Sequence, residues 1–182
     1  MKESALAHKY LDGLKGVEIG GSSHNAFGLD TINVDITKDS LASRKSVEYG
    51  FKPMPVDVIA PGDDLPFDDK SYDFVISSHV IEHFYDPIKA LLEWQRVARK
   101  YIFIICPHKE RMFDRDKETT MLFELVRRNM RPIVQKEHSH QAYYTTESFV
   151  FLCQLIFKDS QIVEVQDVDD KVGNGFTVVI KL

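Results

Sequence analysis

Short apolar runs alternate with longer stretches of helical periodicity along this chain, and the order of the two patterns predicts an α/β layered domain. After a polar start, Gly16 to Gly20 forms an apolar run broken by Glu18 and leads into a Gly/Ser/Asn-rich segment, which reads as a strand entering a ligand-capable loop. Ile32 to Asp35 and Val56 to Ile59 are two more short strands. Tyr72 to Ser77 is a stronger one, because the acidic turn Asp68-Asp69-Lys70 delivers the chain into Phe74-Val75-Ile76. Tyr101 to Ile105 is almost entirely β-branched or aromatic. Between those two strands, Asp86 caps a helix with Pro87 in its first turn and Ile88, Leu91, Leu92 and Gln95 at helical spacing. The unit therefore runs strand, helix, strand, which favours a parallel sheet with a right-handed crossover.

Further along, Glu118 to Arg128 carries a helical pattern through Met121, Leu122, Leu125 and Val126. Thr145 caps another helix, with Phe149, Leu152, Cys153 and Ile156 on its apolar face. Two terminal strands, Ile162 to Val168 and Phe176 to Ile180, flank the acidic turn Asp169 to Gly175, and the opening segment predicts only a partial helix across one edge. Nothing marks a linker, so residues 1–182 read as one domain, with residues 107–141 as a decoration that closes an acceptor pocket or simply covers the sheet.

Composition narrows the classes. The net charge of -5, from 23 Lys and Arg against 28 Asp and Glu, gives no global positive field for a polyanion, although basic residues do gather between Lys109 and Lys136. There is no strong nucleic-acid signal. Cys106 and Cys153 lie in apolar runs and read as small buried hydrophobes rather than a disulfide or zinc framework. The polar N-terminus and the lack of a long uncharged apolar stretch make a cytoplasmic protein without a membrane span the expectation.

Candidate chemistry sits after the strands. Glycines at Gly20 and Gly21, with Ser22, permit close backbone approach, and Glu18 can complement a positively charged methionine moiety. Asp35, at the end of the second strand, can accept both hydrogen bonds of a ribose diol, with Asp39 as a competitor and a helix cap or solvated turn acid as the plainer role. Ala60 to Phe67 places backbone groups, Gly62, the carboxylate of Asp64 and an apolar shelf at Leu65 where an adenine needs flat contact and a few polar ones, or else forms a Pro/Gly connector sealing the core.

This order of residues resembles the Rossmann-like, class I methyltransferases of the type 11 kind. The resemblance is sharpest at Leu65-Pro66-Phe67, the acidic turn, Tyr72-Asp73-Phe74-Val75-Ile76, then Ser78-His79-Val80-Ile81-Glu82-His83 and the helix near Pro87. It implies a mostly parallel seven-stranded sheet with an antiparallel final strand, S-adenosylmethionine as cofactor, and cofactor contacts from Glu18, Gly20, Gly21, Ser22, Asp35, Ala60, Gly62, Asp64, Leu65 and Ser78. Only fifteen positions separate Gly20 from Asp35, so the first helix of that fold is shortened or replaced by a loop. A narrower resemblance, through Gly20 to Asn25, Ser77 to His83 and Pro107-His108 to Phe113-Asp114, is to methyltransferases associated with glycan or cell-surface biosynthesis.

On the acceptor side, His83 is the catalytic candidate as acid/base or acceptor-orienting group, against a capping or structural role. His79 would share its side if the segment were helical; Glu82 can bind a polar acceptor or simply face solvent. His79, His108, Arg111 and Arg115 are the substrate-binding candidates, with Arg111-Asp114 and Arg115-Glu118 as local pairs in the plainer reading. His138 and His140 end the decoration and can return to the pocket or form a helix-entry loop. No fixed signature joins the histidines into a metal site, so none is expected, and a metal-dependent hydrolase or lyase is a minor alternative. A small-molecule or glycan-related acceptor is the expected substrate. A noncatalytic, partner-stabilising subunit is the main alternative because of the shortened first loop, and the apolar helix faces leave a homodimer or protein partner open.

Overall fold

In the computed structural model, residues 4–21, 27–38, 54–131, 139–158 and 160–182 are described. A helix α1 (Ala5–Leu11) precedes β1 (Lys15–Ile19), β2 (Asp30–Asp35), β3 (Val58–Ile59) and β4 (Tyr72–Ser78). A 3-10 turn (Ile81–His83), α2 (Pro87–Val97) and β5 (Ala98–Pro107) follow. A second 3-10 turn (Lys109–Arg111), α3 (Leu122–Met130), α4 (Thr146–Ile156), β6 (Gln161–Gln166) and β7 (Gly175–Lys181) complete the order. The seven strands form one sheet in the order β3-β2-β1-β4-β5-β7-β6. The first five are parallel, and β7 runs antiparallel to both β5 and β6. This is the class I methyltransferase arrangement that the sequence predicted. Among the described residues no helix lies between β1 and β2, in keeping with the short spacing.

Both faces of the sheet are covered, and strand alternation explains how. On one side Val75, Ile102, Ile104, Val178 and Ile180 pack with Leu91 and Trp94 of α2 and Phe149 and Leu152 of α4. On the other, Phe74, Ile76, Phe103, Ile105 and Val179 pack with Ala7 and Leu11 of α1 and with Phe27. The opening helix thus lies on a sheet face rather than across an edge, because Ala7 and Leu11 are its buried positions. Helix α2 starts where Asp86 accepts from the Lys89 amide, and Thr145 and Ser148 form a capping box on α4.

The sequence places a helix from Glu118, but α3 begins at Leu122. The reason is local: the Thr120 amide donates to the Tyr143 carbonyl, and the Thr120 hydroxyl accepts from the Tyr143 amide, so the chain there is tied to another segment instead of coiling. Of the four apolar positions read as its face, Leu125 is buried, whereas Met121 and Val126 are exposed. Cys106 and Cys153 are free and buried, as expected. Among the described residues no helix is long and apolar enough to cross a membrane.

Gly16 shows how tightly the second face is packed. A Cβ there would stand 2.2 Å from Cε2 of Phe74, whose ring is fully buried and cannot swing away. Gly16→Ala is expected to destabilise the protein by about 1–3 kcal/mol through overpacking, read as a lower urea midpoint with an unchanged slope.

Candidate cofactor and acceptor sites

The strand order reverses between β1 and β4, and the loops leaving their C-terminal ends therefore diverge and leave a crevice. Gly20 ends β1 at φ +71, a left-handed conformation that favours glycine, and a Cβ there would lie 2.6 Å from Cγ2 of Val80. Gly21 packs so closely that a Cβ would approach Oε1 of Glu18 to 2.7 Å and Oδ1 of Asn33 to 2.9 Å. Two acceptors therefore converge beside Gly21. Asn33 Oδ1 is buried without a hydrogen-bond partner, while its amide nitrogen donates to the Pro55 carbonyl at 2.7 Å. Sequence reading missed Asn33 because a strand asparagine carries no local signature.

Glu18 is buried, with its pKa pushed up to about 7, chiefly by burial, against which the charge of Lys171 and the Thr31 hydroxyl at 3.4 Å both act. Lys171 comes from the loop between β6 and β7, is itself buried, and stands 3.8 Å from the centre of the Phe27 ring. That loop is folded by Asp169, whose carboxylate accepts the amides of Lys171, Val172, Gly173 and Gly175. The acidic turn seen in the sequence is thus the scaffold that returns a cation to the first loop. Its contribution needed tertiary structure to be seen.

Asp35 closes β2 with Oδ1 accepting the Ile36 amide at 2.7 Å, and the Ala60 amide donates to the Asp35 carbonyl at 3.1 Å, so the second and third strand ends are adjacent. Gly62 lies against Ile19 and Phe84, where a Cβ would meet Phe84 Cζ at 2.9 Å, and its carbonyl accepts from Trp94 Nε1 at 2.8 Å. Asp64 is exposed. Leu65 is a core residue, and its amide and carbonyl are taken by Glu93 and Arg96. Arg96 also holds the Phe67 carbonyl and Asp69. The Leu65-Pro66-Phe67 motif and its acidic turn are consequently a structural clamp on α2. Ser22 and His138 lie outside the described residues.

On the other side of Gly20, Ser78 is buried, and its hydroxyl lies 3.2 Å from Nδ1 of His79. His79 sits at φ +57 and places Nε2 at 2.9 Å from Oδ1 of Asn174. The segment is therefore not one helix: His79 meets Asn174, and His83 packs on His140. His108 is buried as the cap of the second 3-10 turn, accepting the Glu110 amide at 3.3 Å. Burial, and secondarily Arg111, lower its pKa. Arg111 pairs with Asp167 and donates to the Gly175 carbonyl, not with Asp114, so it ties the loop after β5 to the end of β6. Arg115 is exposed. Arg127 and Arg128 are paired with Glu124, which neutralises part of the basic stretch.

Glu82, expected at the surface, is only 1% exposed. The 3-10 turn anchors it, because Ile81 is in the core and the Glu82 carbonyl accepts from the amides of Gln141 and Ala142 at 2.7 and 3.1 Å. Those bonds return His140 to the same place. Its Nδ1 lies 2.6 Å from Oδ2 of Asp114, itself buried, and its ring packs edge-on against His83 with centroids 4.7 Å apart. Burial first, and Asp114 in addition, push Glu82 up to about 8, its own backbone amide opposing. The structure thus joins His83 to Glu82, His140 and Asp114, and Asp114 meets His140 rather than the Arg111 that the plainer sequence reading paired it with.

Residues 18–106 match the family described as a methyltransferase domain. The chain is 26% identical to an uncharacterized protein of Methanocaldococcus jannaschii over 177 residues, 91% of this chain and 80% of the relative. Its fold is similar to an S-adenosylmethionine-dependent methyltransferase from Thermotoga maritima, with TM-score 0.58, 19% identity and coverage of 94% of this chain and 83% of that one. It is likewise similar to such a methyltransferase from Methanosarcina mazei, with TM-score 0.56, 17% identity and coverage of 100% and 98%. A chain of the Haloferax volcanii complex between the Trm112 methyltransferase activator and a methyltransferase also aligns, with TM-score 0.55, 15% identity and coverage of 95% and 84%. The residues of the first loop fit the cofactor of such a domain: Glu18 and the unpartnered Asn33 Oδ1 are acceptors suited to its cationic end, and Asp35 is an acceptor at the next strand end.

Glu18 makes that fit pH-dependent. Its pKa rises from 4.5 to about 7 on folding, so the folded state binds the extra proton and this group's contribution to stability falls as pH rises through that window. A cationic ligand favours the ionised form. S-adenosylmethionine affinity is therefore expected to rise about tenfold between about pH 6 and about pH 8, with proton release seen as a buffer-dependent calorimetric enthalpy that Glu18→Gln abolishes.

Proposed function

We propose that this chain, which carries a class I S-adenosylmethionine-dependent methyltransferase domain over residues 18–106, transfers a methyl group to a small-molecule or glycan-related acceptor in the cytoplasm. The observation that carries the reading is the convergence at one end of the parallel sheet of the buried Glu18 and Asn33 and the half-buried Asp35 on one side of Gly20 and the Glu82, His83 and His140 cluster on the other.

Glu18, Gly20, Gly21 and Asn33 would hold the methionine end of the cofactor, Asp35 the ribose, and Ala60 and Gly62 the adenine side, with Ser78 at the lip of β4. Ser22 is assigned to the same loop on its sequence position. When bound, the cofactor supplies an electrophilic methyl carbon, so the chain's task is to orient the acceptor and exclude water. His83 is the acceptor-addressing group: its side chain is 38% exposed while Glu82 behind it is 1% exposed, so the ring is the open end of the cluster. Direct acceptor contact by His79 and His108 is less favoured, because both rings are engaged in loop and cap bonds. Arg111 is tied to Asp167, which leaves the exposed Arg115 as the freer of the two arginines for an anionic or hydroxyl-rich acceptor. Residues 107–141 form the acceptor side in this reading, since the loop after β5 contributes Asp114 and the return segment contributes His140.

The test is calorimetric titration with S-adenosylmethionine and S-adenosylhomocysteine. Saturable binding is expected, weakened roughly 10- to 100-fold by Asp35→Ala with the circular dichroism spectrum unchanged. Failure to bind either ligand would overturn autonomous cofactor use and favour the partner-stabilising role.

A further inference from the structure

The Glu82 cluster contains a geometry that hydrogen bonding does not account for. Nε2 of His83 lies 3.6 Å and Nε2 of His140 3.7 Å from the same oxygen, Oε1 of Glu82. Those separations are too long for hydrogen bonds. Both carboxylate oxygens of Glu82 are buried and have no hydrogen-bond partner. One ligand atom from each of the three residues lies within 4.8 Å of the others. Ligand atoms bound tetrahedrally at about 2.0–2.1 Å stand about 3.4 Å apart, so the two separations to Glu82 are a few tenths of an ångström from those of ligands sharing one ion.

The surroundings have the form of an outer ligand shell. Asp114 Oδ2 lies 2.6 Å from Nδ1 of His140; with the proton on Nδ1, that nitrogen donates to the carboxylate and Nε2 is left as the ligand atom. Gln141 and Ala142 fix the backbone of Glu82, and the Tyr143 hydroxyl donates to the His140 carbonyl at 3.2 Å. His140 and Glu82 are 11% and 1% exposed, while the exposure of His83 gives an ion a way in.

We propose that Glu82, His83 and His140 bind one divalent transition-metal ion of the zinc and cobalt type, with Asp114 as the residue that positions His140. Two imidazoles and one carboxylate suit such an ion better than magnesium or calcium, which prefer all-oxygen sets. Three protein ligands leave a coordination position open for a further ligand. If the methyl-transfer reading holds, that position takes an oxygen of the acceptor, and His83 then addresses the acceptor through the ion. Metal binding itself does not depend on that reading.

The experiment uses the full chain, freed of metal by chelation and without cofactor. Cobalt(II) is titrated by its visible absorption and zinc(II) by calorimetry. One ion per chain is expected, with the absorption of a low-symmetry nitrogen/oxygen site, and His140→Ala and Glu82→Gln should weaken binding roughly 100-fold or more. Asp114→Asn should weaken it by roughly 10- to 100-fold and serves where a ligand variant fails to fold. His8→Ala, on the opening helix, should leave the stoichiometry unchanged. No saturable binding, or binding unaltered in the folded ligand and Asp114 variants, would overturn the site. Metal binding without S-adenosylmethionine binding would remove the methyl-transfer reading alone; the reverse would remove the metal site alone.

Discussion

The hydrogen bonding of β4 to β1 on one side and β5 on the other is the constraint from which the rest of the molecule follows. Chain order moves outward from β1 to β2 and β3, then returns past β1 to begin β4. Crossovers on the two sides must therefore leave in opposite directions, and a crevice opens at the carboxyl ends of β1 and β4 whatever side chains stand there. The same pairing buries both faces of the central strands, which is why Phe74, Val75 and Ile76 are all apolar although they alternate in direction. Gly20 marks the join between the two halves of the crevice. The space its side chain would take is filled by Val80, so Gly20 and the segment after β4 are packed against each other.

That contact leads to the second fixed point, the Glu82 carbonyl. By accepting two amides from Gln141 and Ala142, it draws the return segment back to the carboxyl end of the central strand β4. The Thr120 to Tyr143 pair and the bond from the Lys109 amide to the Tyr144 carbonyl tie the same return segment to the loop after β5. Residues distant in sequence, Glu82, Asp114 and His140, thus meet because of backbone bonds; their side chains inherit the meeting place. Arg128 strengthens it by donating to the Gln141 carbonyl at 2.8 Å.

Most of the fold was legible because it is written in local patterns. Alternating apolar strands, the Asp86 and Thr145 caps and the apolar face of α4 each depend on a few neighbouring residues, and the structure places them where the pattern did. Errors arose where a distant bond outweighed local preference. Thr120 is bonded to Tyr143 instead of joining α3, and Arg111 pairs with Asp167 while Asp114 meets His140. The strongest motif, Leu65-Pro66-Phe67, identified the fold correctly, yet its residues are occupied by Arg96 and Glu93; a motif can be diagnostic because it holds a helix in place. Of the site, the glycines and the strand-end acids were visible, since their position after a strand is itself the signal. Asn33 and Lys171 were not, because each gains its role only from the residue it meets; His140 was legible as a residue able to return to the pocket, but its meeting with Glu82 and Asp114 was not.

The two buried glutamates show why the halves of the crevice call for different chemistry. Glu18 has a hydroxyl from Thr31 and the charge of Lys171 beside it, so part of the cost of burying its charge is already met within the chain. Glu82 has no such cation, and neither of its oxygens accepts a hydrogen bond. Protonating His140 would serve Asp114, but its Nε2 would still stand 3.7 Å from Glu82, and His83 would present a second imidazole to the same oxygen. A single cation placed among the three groups would bind both imidazoles, supply the charge that the carboxylate lacks, and leave Asp114 to hold the ring of His140. The first loop can therefore accept a cationic ligand with the partners it has, whereas the cluster after β4 is complete only with an ion.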